Sequence, residues 1–181
     1  MPSSQMIAPA LQALRNGKLT GNWTLDGSRS EVRLRSKSMW GLAKVGGVFR
    51  KVTGAGTVTD GGDVTGTITV SAASIDTKNK KRDDHLRSAD FFEASSYPDI
   101  IFAVDRIATA GQEIEVHGSL TARGKTRPLT FPATVSSFDG DELWLDAEVI
   151  VNRGDFGMTW NQLGMASMDN TIAVHAVFTR G

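Results

Sequence analysis

The chain contains no cysteine among its 181 residues. That absence excludes disulfide scaffolds, thiol nucleophiles, cysteine-ligated zinc and iron–sulfur clusters. It does not indicate a compartment, because an oxidising environment permits disulfides without requiring them.

An excess of charge of one sign is also lacking, since 20 lysines and arginines balance 20 aspartates and glutamates. Nucleic-acid-binding proteins usually carry a basic surplus, so we expect no nucleic-acid partner. No apolar run approaches the roughly 20 residues that span a bilayer, so we expect no stable membrane insertion. Residues 1–19 have no basic side chain ahead of their short apolar stretch, unlike a signal peptide, which predicts a cytoplasmic protein.

Histidine is scarce as well, with only His85, His117 and His175 in the chain. They lie far apart and show neither HxH nor HExxH spacing. We therefore expect no metal site, and no cofactor is required.

The clearest positive signal is the alternation of polar and apolar residues with a period of two. From residue 113 to residue 122, polar residues occupy the odd positions and apolar or small residues the even ones. Such alternation predicts strands with one wet and one dry face, as in antiparallel sheets. Strands are predicted at residues 30–37, 63–70, 113–122, 141–151 and 171–179, with weaker patterns at 51–59, 100–104 and 129–136.

Many short strands separated by glycine-containing turns favour an all-β barrel or sandwich, and the length fits one domain. Two segments depart from this pattern. Ile7, Leu11 and Leu14 have the spacing of a short amphipathic helix, and a loosely ordered N-terminal arm is an equal alternative. Residues 77–89 are mostly polar, and a helix is predicted at 80–88, between two strands.

The predicted dry faces contain many small residues. Small inward residues leave volume in a barrel, which an apolar ligand could fill. Alternatively, the glycines mark bends and bulges where the strands coil. The small residues are Gly54, Gly56, Gly66, Gly118, Ala122, Ala133, Ala147 and Ala176.

The densest polar cluster is residues 80–87, which contain Asp83 and His85. This pair could act as acid and base. The structural alternative is a charged helix whose side chains pair at a spacing of three or four residues.

Several ordered motifs resemble the YceI-like family over about residues 21–179. They are Trp23-x-Leu25-Asp26, Ser30-x-Val32, Ser74-Ile75-Asp76-Thr77, Arg82-Asp83-x-His85-Leu86, Asp90-Phe91-Phe92, Tyr97-Pro98-x-Ile100-x-Phe102, Gly118-x-Leu120-Thr121-x-x-Gly124-x-Thr126-x-Pro128 and Asn152-Arg153-x-Asp155-Phe156-Gly157. One departure lies at residues 36–40, Ser-Lys-Ser-Met-Trp, where many members carry a histidine.

The resemblance implies an eight-stranded antiparallel, lipocalin-like barrel, which we place over residues 21–181. Residues 1–20 lie outside the resemblance and are expected to form an N-terminal arm or short helix. It also implies an amphipathic lumen, and family members are associated with polyisoprenoids, isoprenoid quinones and other lipid-like amides or fatty acids. A homodimer is implied in the same way.

On this basis we predict a protein that binds a long apolar lipid, a polyisoprenoid or an isoprenoid quinone, for carriage, storage or sensing, without catalysis. The polar head of the ligand is expected near Arg82, Asp83, His85 and Arg153. The alternative for Arg153 is a structural polar network with Asn152 and Asp155. The predicted lumen residues are Val32, Leu34, Trp40, Phe49, Val64, Ile68, Leu86, Phe91, Phe92, Phe102, Ile114, Val116, Leu143, Leu145, Val149, Ile172 and Val174.

Two other functions fit the sequence. One is a protein-interaction or stress-response module with a vestigial cavity. The other is an enzyme that acts on a bound apolar substrate with Asp83 and His85 as acid and base. The alternative for Phe91, Phe92 and Phe102 is ordinary core packing under the helix.

Overall fold

The computed structural model describes residues 2–110 and 113–181, and most of that chain is strand. The helices are α1 (Pro2–Arg15) and α2 (Lys80–Arg87). The strands are β1 (Gly21–Leu25), β2 (Glu31–Ser38), β3 (Ala43–Phe49), β4 (Val52–Val58), β5 (Val64–Ser71), β6 (Ile75–Asp76), β7 (Asp99–Ala110), β8 (Glu113–Ala122), β9 (Lys125–Asp139), β10 (Glu142–Asn152) and β11 (Asp169–Arg180).

The strands form one closed antiparallel barrel. β1 with β2, β3 with β4, and β5 with β6 each continue one another along a single bent strand, which leaves eight long strands in the barrel. The barrel closes because β1 and β2 both pair with β11, with Trp23 opposite Arg180 and Val32 opposite Val174. The predicted eight-stranded barrel is confirmed. A closed barrel has no free edge strand through which it could aggregate.

Two register shifts bend the longer strands. β7 has an extra residue at Asp105 opposite β8, because Val104 pairs with Gly118 while Arg106 pairs with His117. β9 has a similar shift where it pairs with Trp144 and Leu145 of β10. Each bulge increases the local twist and changes which residues face inward further along the strand.

The inward glycines at the centre of the sheet mark close strand approaches. A Cβ atom on Gly66 would lie 2.6 Å from the carbonyl oxygen of Ala55, and one on Gly118 would overlap the carbonyl oxygen of Ala103. These positions need glycine because neighbouring backbone occupies the space of a side chain. Gly118 is therefore a glycine because the strands approach closely at this point, and it does not leave free volume in the lumen.

α1 covers one end of the barrel. Ala10 and Leu11 are buried against Ile114, Val116 and other residues of β8 and β9. After Arg15 the chain turns through Gly17, whose φ of +72° is the left-handed conformation typical of a helix C-terminus. Of the two alternatives for the N-terminal segment, the helix is the one found.

At the opposite end, α2 lies in the connection between β6 and β7. Its N-cap is Asn79, whose side chain accepts a hydrogen bond from the Arg82 amide at 3.1 Å. The predicted helix is therefore confirmed, ending one residue earlier than expected. It brings the polar cluster of the sequence to the rim of the barrel.

Candidate functional site

A cavity of about 490 Å³ runs inside the barrel. It extends from Ala10 and Leu14 of α1 to Lys37, His85 and Trp160 at the opposite end, which we call the mouth. Its accessible wall is almost entirely apolar. The volume lies within the range of small-molecule sites, roughly 300–1,000 Å³.

The dry faces of the strands supply most of the wall, as alternation requires. All of the predicted lumen residues except Trp40 line the cavity. These are Val32, Leu34, Phe49, Val64, Ile68, Leu86, Phe91, Phe92, Phe102, Ile114, Val116, Leu143, Leu145, Val149, Ile172 and Val174.

Trp40 lies outside the cavity, with 67% of its surface exposed. It belongs to the short 3-10 turn Met39–Gly41, where its φ is +55°. The alternation of β2 ends at Ser38, so it does not determine the direction of the Trp40 side chain. The structure thus differs here from the sequence prediction.

Alanines provide much of the free volume. Ala122, Ala133, Ala147 and Ala176 line the cavity, as do Gly56 and Gly66, whereas Gly54 and Gly118 do not. An alanine facing the lumen leaves the space that a leucine or phenylalanine would fill, and interiors seldom tolerate such space unoccupied.

Several lining residues were not found by sequence reasoning. Phe131 follows the alternation of β9 and could have been found from it, whereas Met158 and Trp160 lie in an irregular segment without a periodic signal. Ala10 and Leu14 could not be assigned, because nothing in the sequence shows where a terminal helix docks.

Arg153 is a buried cation at the mouth, with only 7% of its surface exposed. Its guanidinium donates to the carbonyl oxygens of Met158 and Trp160, both at 2.7 Å, and of Ser167 at 3.0 Å. It also lies 5.3 Å from the centre of the Phe91 ring. Burial lowers the pKa of Arg153 from its ordinary value. The side chain lines the cavity while it organises the backbone around it.

Asp83 does not reach the cavity. This buried carboxylate accepts hydrogen bonds from the Thr77 amide at 2.8 Å and from the Thr77 hydroxyl at 2.6 Å. Arg82, which does line the cavity, donates to the hydroxyl and the carbonyl oxygen of Thr77, both at 2.9 Å. Asp83 therefore holds the start of α2 in place and differs from the predicted position beside the ligand head.

His85 lines the mouth, and its imidazole contacts the carboxylate of Asp90 and not that of Asp83. Its Nε2 lies 2.9 Å from Oδ2 of Asp90. The imidazole also packs edge-on against Trp160, with ring centres 4.4 Å apart, and against Phe91 at 5.0 Å. Residues two apart on a helix do not face each other, which is why Asp83 is not its partner.

The other histidines lie away from the mouth. His117 pairs with Thr130 across β8 and β9, and His175 Nδ1 lies 2.8 Å from Asp146. Within residues 2–110 and 113–181, no group of three or more histidine, cysteine or acidic residues could hold a metal ion. In the same part of the chain, no helix is long and apolar enough to cross a membrane.

Comparison with known sequences gives a consistent result. A sequence model of the YceI-like domain matches residues 23–179. Protein YceI of Escherichia coli O157:H7 is 35% identical over 118 residues, which cover 61% of this chain and 61% of that protein. The chain thus spans about three-fifths of the length of this curated relative.

Solved structures are similar over more of the chain. BcnA of Burkholderia cenocepacia superposes with a TM-score of 0.77 and 26% identity, covering 84% of this chain and 98% of BcnA. A polyisoprenoid-binding domain from Saccharophagus degradans, implicated in plant cell wall breakdown, gives a TM-score of 0.72 over 88% of this chain and 98% of that domain. At 13% identity, that second likeness concerns the fold alone.

Proposed function

This chain belongs to the YceI-like family, and from that premise we propose that its barrel binds one long apolar lipid, a polyisoprenoid or an isoprenoid quinone. The observation that carries the proposal is the continuous apolar cavity between α1 and the mouth. The polyisoprenoid-binding domain with the same fold supports this ligand class.

Shape and burial supply the affinity, because an isoprenoid tail offers no hydrogen bonds. Each buried CH₂ group is worth about 0.8 kcal/mol. Ordering a flexible chain offsets much of that gain. We expect a dissociation constant at or below about 1 μM, which corresponds to about 8 kcal/mol.

The tail points towards Ala10 and Leu14, and the polar head lies at the mouth near Arg82, His85 and Arg153. Both arginines already donate to protein oxygens. The head therefore meets positive charge with few free donors, which suits a small acceptor such as a quinone oxygen or a single phosphate oxygen.

We propose binding without turnover, for carriage, storage or sensing. Asp83 is occupied by Thr77, and the carboxylate beside His85 is that of Asp90. We also propose a homodimer, which the resemblance implies, and a cytoplasmic location. Both stay predictions, and light scattering in solution tests the first.

The test is ligand uptake by the delipidated protein, measured by native mass spectrometry with a polyisoprenyl phosphate and with an isoprenoid quinone. The wild type should take up about one molecule per chain. Ala147→Phe places an aromatic ring in the lumen and should lower uptake at least tenfold. The matched control is Ala173→Phe on the same sheet, between the lining residues Ile172 and Val174 but with its side chain on the opposite face.

Both variants should unfold with the cooperativity of the wild type. No uptake of either lipid by the wild type would contradict the proposal. An equal loss in Ala147→Phe and Ala173→Phe would contradict the assigned cavity.

A further inference from the structure

Four large apolar side chains project into solvent beside the mouth. Met39, Trp40, Leu42 and Leu163 are 49%, 67%, 85% and 77% exposed, and we call them the apolar rim. The first three lie in the connection between β2 and β3, and Leu163 lies in the loop before β11. Exposed apolar groups are ordinary when scattered, but a cluster of them marks an interaction site.

The two loops form one surface. The amide of Trp40 donates to the carbonyl oxygen of Met165 at 3.3 Å, and the amide of Ser167 donates to that of Lys37 at 2.9 Å. Lys37 and Ser167 also line the cavity. The apolar rim is thus attached to the edge of the opening.

Backbone conformation directs these side chains away from the barrel. Met39, Trp40 and Leu163 have φ values of +51°, +55° and +55°, which residues other than glycine seldom adopt. This conformation interrupts strand alternation and leaves the side chains in water.

Positive charge accompanies the apolar rim. Residues 37–44, which span the connection between β2 and β3, contain two lysines and no acidic residue, although the whole chain is neutral. Lys37 and Lys44 are directly opposite each other on β2 and β3. Like charges in that position repel. Neither lysine has an ion-pair partner in the part of the chain that the structure describes.

We propose that the apolar rim docks on the surface of an anionic lipid bilayer. Trp40, Leu42 and Leu163 enter the interfacial layer, where indole rings are favoured, and Lys37 and Lys44 meet the lipid phosphates. A bilayer supplies hydrocarbon and negative charge to a projecting tip at the same time. A stable protein partner would need a complementary face of roughly 800 Å².

Docking turns the mouth of the cavity towards the membrane. An apolar ligand could then enter the cavity from the bilayer without crossing water, and this step rests on the proposed lipid-binding function. The docking itself does not require that function, since the apolar rim and the two lysines exist with the cavity empty or full.

The experiment is flotation of delipidated protein with vesicles that contain no polyisoprenoid or quinone. Vesicles of phosphatidylcholine and phosphatidylglycerol should carry the wild type upward in low salt. Vesicles of phosphatidylcholine alone should carry less of the protein, because only the apolar contribution to binding remains. Added salt should weaken binding to the vesicles that contain phosphatidylglycerol.

Two pairs of variants separate the apolar contribution from the charge. The double variant Trp40→Ser with Leu42→Ser should weaken binding about tenfold or more on both kinds of vesicle. Its control is Ile150→Ser on the barrel wall, with the same exposed fraction as Trp40. Lys37→Ser with Lys44→Ser should weaken binding to anionic vesicles only, whereas Lys51→Ser, beyond the end of β3, should have little effect.

Wild type that stays unbound under all conditions would overturn docking, as would equal losses in Ile150→Ser and the Trp40 double variant. A rim variant that converts a dimer to a monomer while the wild type ignores vesicles would also overturn it, in favour of contact between two copies. Because the vesicles lack the ligand, none of these results bears on uptake. The double variant Trp40→Ser with Leu42→Ser should still take up lipid from detergent solution.

Discussion

The Nη1 atom of Arg153 lies 2.7 Å from the carbonyl oxygen of Trp160. That hydrogen bond holds the backbone of an irregular loop whose tryptophan ring packs against His85. The same guanidinium also binds the carbonyl oxygens of Met158 and Ser167. One cation thus connects three backbone carbonyl oxygens of the segment between β10 and β11.

We expect Arg153→Met to lower the free energy of unfolding by about 3 kcal/mol. Methionine keeps the apolar stem of the side chain but leaves three backbone carbonyl oxygens at the mouth without their donor. Urea denaturation measures the change.

The control is Arg127→Met. Arg127 is exposed, and its side chain donates to the carbonyl oxygen of Thr126. Its removal should cost less than about 0.5 kcal/mol. If Arg153→Met were equally mild, the loop would be held by other contacts.

Strand alternation predicts the walls of this barrel well. The pattern at residues 113–122 matches β8 because each residue faces either the lumen or solvent. It misses β3, whose centre is Gly46-Gly47, because glycines carry no polar or apolar signal. It recovers only the first part of β7, because the extra residue at Asp105 reverses the phase of the alternation.

The mouth is harder to predict than the walls. Its residues come from turns and from the segment between β10 and β11, where no repeating pattern relates sequence position to direction. Trp40 is an example. Its left-handed backbone conformation directs towards solvent a side chain that the sequence predicts in the lumen. The contact between His85 and Asp90 could not be predicted for a related reason, because Asp90 follows the end of α2 and reaches back to it.

Glycine at position 118 should be required by the packing of β8 on β7. Gly118→Ala is expected to lower the free energy of unfolding by about 3 kcal/mol, because its Cβ would overlap the carbonyl oxygen of Ala103. The matched control is Gly46→Ala in β3, where nothing lies within 4 Å of the added Cβ.

Gly46→Ala should be neutral or slightly stabilising, since alanine restricts the unfolded chain. Thermal and urea unfolding of the two variants give the comparison. Similar stability of both variants would show that β7 and β8 can separate without cost.

The length of the ligand should depend on α1. Ala10 lines the closed end of the cavity and is 4% exposed. Ala10→Phe should therefore shorten the lumen, so that long isoprenoids bind more weakly while short ones are unaffected. Competition among isoprenoid quinones of increasing chain length measures the limit. A uniform loss across all lengths would point to a displaced helix rather than a shorter cavity.

Asp76 should make part of the stability depend on acid pH. A hydrogen bond from the Lys78 amide, together with those from Arg50, lowers the pKa of Asp76 from 3.8 to about 2. Because the pKa is lower in the folded state, the stabilisation is complete above about pH 4 and is lost as the pH falls towards 2. Asp76→Asn keeps an oxygen for the Lys78 amide but removes the charge. Its stability deficit should be largest near neutral pH and should shrink towards pH 2. Urea unfolding of the wild type and of Asp76→Asn at several pH values measures this, and a deficit that stayed the same from pH 7 to pH 2 would contradict the prediction.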